Sequence, residues 1–276
     1  MAKDKMVAYR FFKVILGPLY RFWYNPKIIG KENIPKEGRF IIVGNHVHIM
    51  DQCNVVISTR RCLHYMAKKE YFDNKKVAWF FKSAGCIPVD RSKKDDDATS
   101  AAVEVLNNDN ALGLFPEGTR NGLKEERIQE LYTKYHTEEQ TYEEFVNNIK
   151  KTKTSQINYL EELLENEMIT KEEFLDNIFN VDEYLRILIN ERRITRSEYY
   201  SHMLLPLKFG AVSLAKKTNS QIIPFVITGD YKFRSKNLKV LIGEAIDPSE
   251  DLEAANKRLN DVMVEMIREN YENNGK

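Results

Sequence analysis

The chain has 276 residues, 42 Lys plus Arg against 41 Asp plus Glu, and a formal net charge of +1. That length allows one large domain or two modest ones, with ample chain to bury a core. With 42% hydrophobic residues, 14 Tyr and 14 Phe against 12 Gly and 8 Pro, the composition excludes a disordered, collagenous or low-complexity protein. Cys53, Cys62 and Cys86 form no Cys-x-x-Cys pair and are odd in number, which suits a reducing compartment better than a disulfide framework.

No run of ~20 uninterrupted apolar residues exists, so a conventional spanning helix is not expected. Residues 6–24 nevertheless crowd aromatic rings among Val7, Ile15, Leu16 and Leu19, with Arg10, Lys13 and Arg21 as the charges. The apolar run 14–19 is short, broken by Gly17-Pro18 and followed by no small-residue cleavage site, so a secretory signal fits poorly. A basic, aromatic-rich amphipathic segment over residues 1–27 predicts an in-plane membrane anchor. The alternative is an ordinary first helix on the core, against which tyrosines and cations alternate too densely for a clean buried stripe.

Next, apolar or β-branched runs at 40–43, 63–67, 86–89, 111–115, 222–228 and 239–242 predict strands. Helical periodicity at 77–83, 95–107, 209–217 and 249–271 predicts the helices between and after them. The last is clearest, with Leu252, Ala255, Leu259, Val262, Met263 and Met266 on one face and acidic residues in its first turn. Alternating strands and helices predict an α/β sheet covered by helices, with ligand sites where strands end and loops begin.

Residues 123–204 break this alternation. They contain no Gly or Pro and no convincing strand, and read as helical throughout. Ile169-Thr170-Lys171-Glu172-Glu173-Phe174 returns as Ile194-Thr195-Arg196-Ser197-Glu198-Tyr199, 25 residues later, and Tyr159-Leu160 returns as Tyr184-Leu185. Thr141-Tyr142-Glu143-Glu144-Phe145 is a weaker third copy. In each, Thr precedes Glu by three residues, the spacing at which the two side chains satisfy backbone donors at a helix start. The unit is a short helix, a tight corner and a capped second helix. This insert carries 11 Lys plus Arg and 18 Asp plus Glu, a net −7; the rest, with 31 and 23, is +8, of which residues 1–40 supply +6. Near-neutrality is the sum of a basic body and an acidic appendage, and a basic body suits an anionic surface or a phosphate-bearing substrate.

Three constellations carry candidate chemistry. After the first strand, Asn45-His46-Val47-His48-Ile49-Met50-Asp51 places an imidazole and a carboxylate where a turn from loop into helix can join them. The carboxylate then fixes the tautomer and the other ring nitrogen is a base able to deprotonate an alcohol. Gly85-Cys86-Ile87-Pro88-Val89-Asp90-Arg91 delivers Asp90 and Arg91 from a short strand; an internal salt bridge is the simpler reading of that pair. Phe115-Pro116-Glu117-Gly118-Thr119-Arg120 follows the fourth strand, where Gly118 lets the backbone approach a ligand and Arg120 can fork onto a phosphate.

In this order, and with the Ile222-Ile223-Pro224-Phe225-Val226 strand, these blocks resemble the lysophospholipid acyltransferases of the PlsC-like family. Ala67-Lys68-Lys69-Glu70 and Leu207-Lys208-Phe209-Gly210-Ala211 match the intervening segments. The resemblance covers nearly all of 28–122 and 205–246. It implies a glycerolipid acyltransferase fold of the α/β class, a mixed sheet covered by helices. The expected division is a membrane-associating amphipathic helix in 1–27, an acyltransferase domain in 28–122 and 205–276, and an all-α insert in 123–204.

For the site, the resemblance implies that His46 is the general base for an acceptor hydroxyl attacking an acyl thioester, that Asp51 orients it, and that no acyl-enzyme forms. Asn45, Arg91, Glu117, Gly118, Thr119 and Arg120 become the acceptor-binding set, with Arg91 and Arg120 on phosphate and Glu117 on glycerol hydroxyls. Lys68 is the candidate for the thioester oxyanion. No metal or cofactor is expected beyond the co-substrate, acyl carrier protein or acyl-CoA. The implied reaction acylates 1-acylglycerol 3-phosphate to phosphatidic acid. Another lysophospholipid or glycerol 3-phosphate is the alternative acceptor, and a degenerate membrane-surface scaffold the non-enzymatic reading. The expected setting is cytoplasmic, peripheral to the inner face of the cell membrane, with an anionic lipid surface as partner and no nucleic acid.

Two features depart from the family pattern. His48 stands where many relatives carry a small polar residue, so a second imidazole is expected beside the base. The insert replaces a short connection; its repeat is loosely similar to the short helical hairpins called SHOCT-like. Self-association, a docking arm for a protein partner, a lid over the acyl channel and a solvated appendage are its open readings.

Overall fold

The computed structural model of the protein describes residues 6–90, 92, 95–137, 140–249 and 251–272. The chain divides into two compact units, Met1–Gly118 with Leu207–Lys276, and Thr119–Pro206.

In the first unit a seven-stranded sheet runs in the order β1-β7-β6-β2-β5-β3-β4. Its strands are β1 (Lys27–Ile29), β2 (Phe40–Gly44), β3 (Leu63–Lys68), β4 (Ile87–Val89), β5 (Ala111–Leu114), β6 (Gln221–Thr228) and β7 (Lys239–Ile242). All pairs are parallel except β6 with β7. Six strands follow the sequence expectation. The seventh, β1, is too short to show alternation and exists by pairing Lys27–Ile29 against Lys239, Val240 and Leu241. β2 is buried at every position and β6 at all but its first, as strands covered on both faces require. Phe40, Ile42, Phe225 and Ile227 gather with Val55 and Tyr24 in one core cluster.

The helices of this unit are α1 (Val7–Tyr24), α2 (Asp51–Ser58), α3 (Glu70–Asp73), α4 (Ala78–Ser83), α5 (Asp96–Asn107), then, after the second unit, α12 (Gly210–Thr218) and α13 (Leu252–Glu272). The amphipathic pattern of the last helix is realised: Ala255, Leu259, Met263, Met266 and Ile267 are buried, and the helix packs on β6.

α1 forms the helix expected within residues 1–27 and corrects the sequence reading in one respect, its buried stripe. It runs unbroken through Gly17 and Pro18, held from outside the helix. Tyr20 Oη donates to Asn54 Oδ1 at 2.9 Å, an Arg21 guanidinium nitrogen donates to the Ile57 carbonyl at 2.6 Å, and Lys13 Nζ donates to the Thr59 carbonyl. These tertiary bonds offset the lost backbone bond at Pro18. A buried stripe also exists, through Met6, Tyr9 and Tyr20, while Phe11, Val14, Ile15, Leu16, Leu19, Phe22 and Trp23 are exposed on α1. Among the described residues no helix is long and apolar enough to cross a membrane.

Among its described residues the second unit has helices and no strand: α6 (Glu125–Tyr135), α7 (Tyr142–Ile149), α8 (Thr154–Glu165), α9 (Lys171–Asn177), α10 (Val181–Asn190) and α11 (Arg196–Ser201). Capping boxes form at Thr141 with Glu144, Thr170 with Glu173 and Thr195 with Glu198. The corners before the last two turn on Glu167 and Arg192, both in the left-handed region and 25 residues apart like the motifs they precede. Phe145, Leu160, Phe174, Leu185 and Tyr199 fill the interior. Gln156 and Tyr199 hold Asp182 at 2.6 and 2.8 Å.

Candidate active site

Because β6, β2, β5 and β3 are mutually parallel, the chain leaves all four at one edge of the sheet, the edge at which open α/β sheets hold ligands. The His46 loop leaves β2 there. Gly44 passes so close to Phe225 that a Cβ would lie 2.3 Å from its ring. Asn45 is then pinned across to β6: its Nδ2 donates to the Ile227 carbonyl at 2.9 Å and its Oδ1 accepts the Ile227 N–H at 2.7 Å. The side-chain amide continues the strand pairing one residue past the strand.

His46 follows with its backbone N–H on Glu117 Oε1 at 2.6 Å and its ring stacked on Phe115, centroids 4.2 Å apart. Its Nδ1 lies 2.8 Å from Asp51 Oδ2, and the same oxygen accepts the Val47 and His48 N–H groups at 2.7 Å each. Asp51 is the first residue of α2 and fully buried. An ionised carboxylate only accepts, so Nδ1 carries the proton and Nε2 is the basic nitrogen of a partly exposed imidazole.

The second imidazole is committed elsewhere. His48 Nδ1 accepts the Met50 N–H at 3.2 Å and its ring stacks on Tyr231 at 4.1 Å. Tyr231, in the loop after β6, donates its hydroxyl to Asp51 Oδ1 at 2.5 Å and accepts from Asn54 Nδ2 at 2.7 Å. Burial, and then the Asp51 charge, push this phenol well above the usual tyrosine range, so it remains a donor. Nothing in the sequence pointed to it: Tyr231 lies outside every block, 180 residues from its partner.

The remaining sequence-derived residues divide three ways. Glu117 is buried and joined to the His46 backbone. Gly118, at φ +71°, passes under Lys208, whose ammonium and last methylene would meet a Cβ there at 2.8 Å. Lys208 is fixed by its N–H on the Pro116 carbonyl at 2.9 Å and puts a cation beside this loop that the sequence reading gave no role. Lys68 is exposed at the end of β3, in register with Val89. Thr119 and Arg120 follow in the chain and begin the second unit, where Arg120 is exposed and its carbonyl accepts the Gly122 N–H at 2.9 Å. Arg91 lies outside the described residues; its neighbour Asp90 accepts the Ser92 N–H at 3.0 Å and donates its own N–H to Asp95 at 2.8 Å.

Comparison with known proteins agrees with this architecture. Residues 25–228 match the model of the family described as Acyltransferase. The chain is 34% identical over 95 residues to a 1-acyl-sn-glycerol-3-phosphate acyltransferase of Bacillus subtilis, a stretch covering 34% of this chain and 48% of the relative. It is 35% identical over 97 residues to the enzyme of the same name from Borreliella burgdorferi, covering 34% and 38%. The chain thus spans about half the length, or less, of these curated relatives. In three dimensions it resembles the crystal structure of the 1-acyl-sn-glycerophosphate acyltransferase PlsC from Thermotoga maritima, with TM-score 0.54 and 18% identity over 98% of this chain and 83% of that one. That likeness is one of fold, and the family match extends from the strand at Lys27 to the end of β6, through every block around His46; the chain belongs to the Acyltransferase family.

Proposed function

We propose that the protein transfers a fatty acyl group from a thioester of acyl carrier protein or CoA to the free hydroxyl of 1-acylglycerol 3-phosphate, forming phosphatidic acid. The observation carrying this reading is the His46–Asp51 pair, held at 2.8 Å with Nδ1 engaged and Nε2 left basic. The acceptor hydroxyl gives its proton to Nε2 as its oxygen attacks the thioester carbonyl carbon. Asp51 stabilises the imidazolium. The tetrahedral intermediate then expels the thiolate, which takes the proton back from His46 and leaves as a thiol, so the base is regenerated without a covalent enzyme intermediate. Lys68, at the end of β3, is the oxyanion candidate. Arg91 and Arg120 are assigned to the acceptor phosphate by the family resemblance, and the names of the relatives support that acceptor. Another lysophospholipid or glycerol 3-phosphate remains the alternative.

The acceptor is a lipid, and the molecule offers a surface for one. The exposed apolar face of α1 continues onto Phe233, whose ring is 4.9 Å from Trp23 and 6.1 Å from Phe22, with the Arg234 guanidinium 5.6 Å over Phe22. Arg10, Arg21, Lys232 and Arg234 are exposed around it. Interfacial aromatics rimmed by cations suit an anionic bilayer, which in this reading is the inner face of the cell membrane. The acidic second unit is assigned no chemical step; it is a candidate for self-association or a protein partner. Replacing 123–204 by a short linker tests that: loss of an oligomer or of a binding partner is expected, and unchanged mass and turnover would leave it a solvated appendage.

The decisive assay supplies lysophospholipids and glycerol 3-phosphate in vesicles with acyl-CoA or acyl carrier protein thioesters. Turnover is expected to be fastest with 1-acylglycerol 3-phosphate and lost in His46→Ala. Equal rates in His46→Ala and the parent would overturn the mechanism.

A further inference from the structure

We propose that Tyr231 is a positioning residue for the His46–Asp51 pair, and that it ties the orientation of that pair to α1 through Asn54 and Tyr20. The geometry stands by itself; its kinetic consequence rests on the acyl-transfer reading above.

Asp51 has two carboxylate oxygens with different duties. Oδ2 receives His46, Val47 and His48; Oδ1 receives the Tyr231 hydroxyl at 2.5 Å. The carboxylate is fully buried. Without the phenol, Oδ1 becomes a desolvated, unpaired anionic oxygen, and the carboxylate gains by rotating toward any other donor, which takes Oδ2 off the imidazole. The hydroxyl is itself oriented: Asn54 Nδ2 donates to it at 2.7 Å, leaving its proton for Asp51, and Tyr20 Oη donates to Asn54 Oδ1 at 2.9 Å. One line of hydrogen bonds therefore runs from the buried side of α1 to the base.

The loop bearing Tyr231 is built to hold still. Gly229, at φ +86°, lets it fold back so tightly that a Cβ would lie 2.0 Å from the Asn237 carbonyl oxygen. The Asp230 N–H meets Asn237 Oδ1 at 3.2 Å, and at the far side the Arg234 N–H donates to the Trp23 carbonyl at 2.6 Å. The Tyr231 ring is clamped between His48 at 4.1 Å and Tyr24 at 5.5 Å. α1 therefore steadies the loop at Trp23 and the phenol at Tyr20.

The test uses the full chain, vesicles containing 1-acylglycerol 3-phosphate, and a palmitoyl thioester of CoA or of acyl carrier protein. Tyr231→Phe keeps the ring and removes the hydroxyl. We expect kcat to fall roughly 10- to 100-fold with the acceptor KM within about twofold, and Tyr20→Phe to lose less than about fivefold. Combined with His46→Ala, Tyr231→Phe should cost nothing further, because no base remains to be positioned. An equal further loss there would show a merely structural role and overturn the proposal. Asn54→Ala, which retains Tyr231 but frees its hydroxyl, should give an intermediate loss and carries the same test if Tyr231→Phe folds poorly. A readout independent of turnover is the low-field proton resonance of His46 Nδ1–H, identified by its loss in His46→Ala. It should move in Tyr231→Phe; an unmoved resonance with parental kcat overturns the proposal. If His46→Ala turns over like the parent, the acyl-transfer reading fails while the resonance still decides the role of Tyr231.

Discussion

His46 Nδ1 and Asp51 Oδ2 lie 2.8 Å apart although a loop of four residues separates them. The contact exists because Asp51 opens α2 and the same oxygen gathers the Val47 and His48 N–H groups. The carboxylate both closes a turn and pairs with the imidazole proposed as the base, so its replacement has two consequences. Asp51→Asn should lower turnover roughly 10²- to 10⁴-fold with acceptor KM little changed, as expected when tautomer control is lost. It should also cost about 1–3 kcal/mol of stability, since an amide cannot accept all the donors a buried carboxylate does. Steady-state kinetics and thermal melting read the two effects. Parental turnover in Asp51→Asn would remove Asp51 from the mechanism.

α1 divides its residues between a buried stripe and an exposed apolar face, the latter proposed to meet lipid, and the two sets should separate in experiments. Phe11→Ser with Phe22→Ser on its exposed face, or Phe233→Ser in the adjoining loop, should weaken sedimentation with anionic vesicles while leaving the melting temperature within a few degrees. Loss of the two α1 rings together should cost about tenfold or more in partitioning, on the scale of ~1 kcal/mol or more per aromatic side chain withdrawn from lipid. Raising salt should weaken binding further, because the Debye length shortens from about 8 Å at physiological ionic strength toward 3 Å at 1 M. Unchanged vesicle binding in both variants would place the membrane contact elsewhere.

Two thiols should be slow to react. Burial pushes Cys53 up to about 11, with Asp51 adding to the effect, and burial likewise pushes Cys86 up to about 11. Against the ordinary thiol value, that is about a hundredfold less thiolate at neutral pH. Mass spectrometry after iodoacetamide treatment at pH 8 should find both modified far more slowly than free cysteine. Rapid labelling of Cys53 under native conditions would mean that the packing around α2 opens readily.

Acid should weaken the helical insert through one of its caps. The Arg193 guanidinium, and then the Thr170 N–H, hold Glu173 down at about 2. The folded value lies below the ordinary 4.5, so this contribution is complete above pH 4.5 and is lost as pH falls toward 2. The melting temperature of Glu173→Gln should lie below the parent at pH 7, and the difference should shrink as pH drops through that window. Thr195→Ala, which removes the side-chain acceptor for the Glu198 N–H, should cost about 1 kcal/mol at any pH. A pH-independent difference between Glu173→Gln and the parent would rule out the cap as its source.

How much of this was legible in the chain depends on how local each cause is. Six strands and the last helix announced themselves through periodicity, because neighbouring residues share one face of one element. The capping boxes at Thr170 and Thr195 were legible for the same reason, with donor and acceptor three residues apart. β1 was not, since Lys27–Ile29 is a strand only because β7 lies beside it. The buried stripe of α1 was not legible either, because Tyr20, with Lys13 and Arg21 beside it, is anchored on α2 and the residue after it, a chain segment more than thirty positions away.

The candidate site follows the same division. By itself the sequence determined the chemical inventory: the imidazole, the carboxylate at a spacing that a helix start can close, and the ordered blocks that mark the family. It also separated a basic body from an acidic insert beneath a net charge of +1. Only the tertiary structure decided that Asn45 is spent on the Ile227 backbone, that Glu117 steadies the His46 main chain, and that Lys208 lies over Gly118. It alone brought Tyr231 to Asp51. The physical reason is that a parallel sheet collects the ends of distant strands at one edge, so polar partners there are chosen by strand order and register, which no local pattern records.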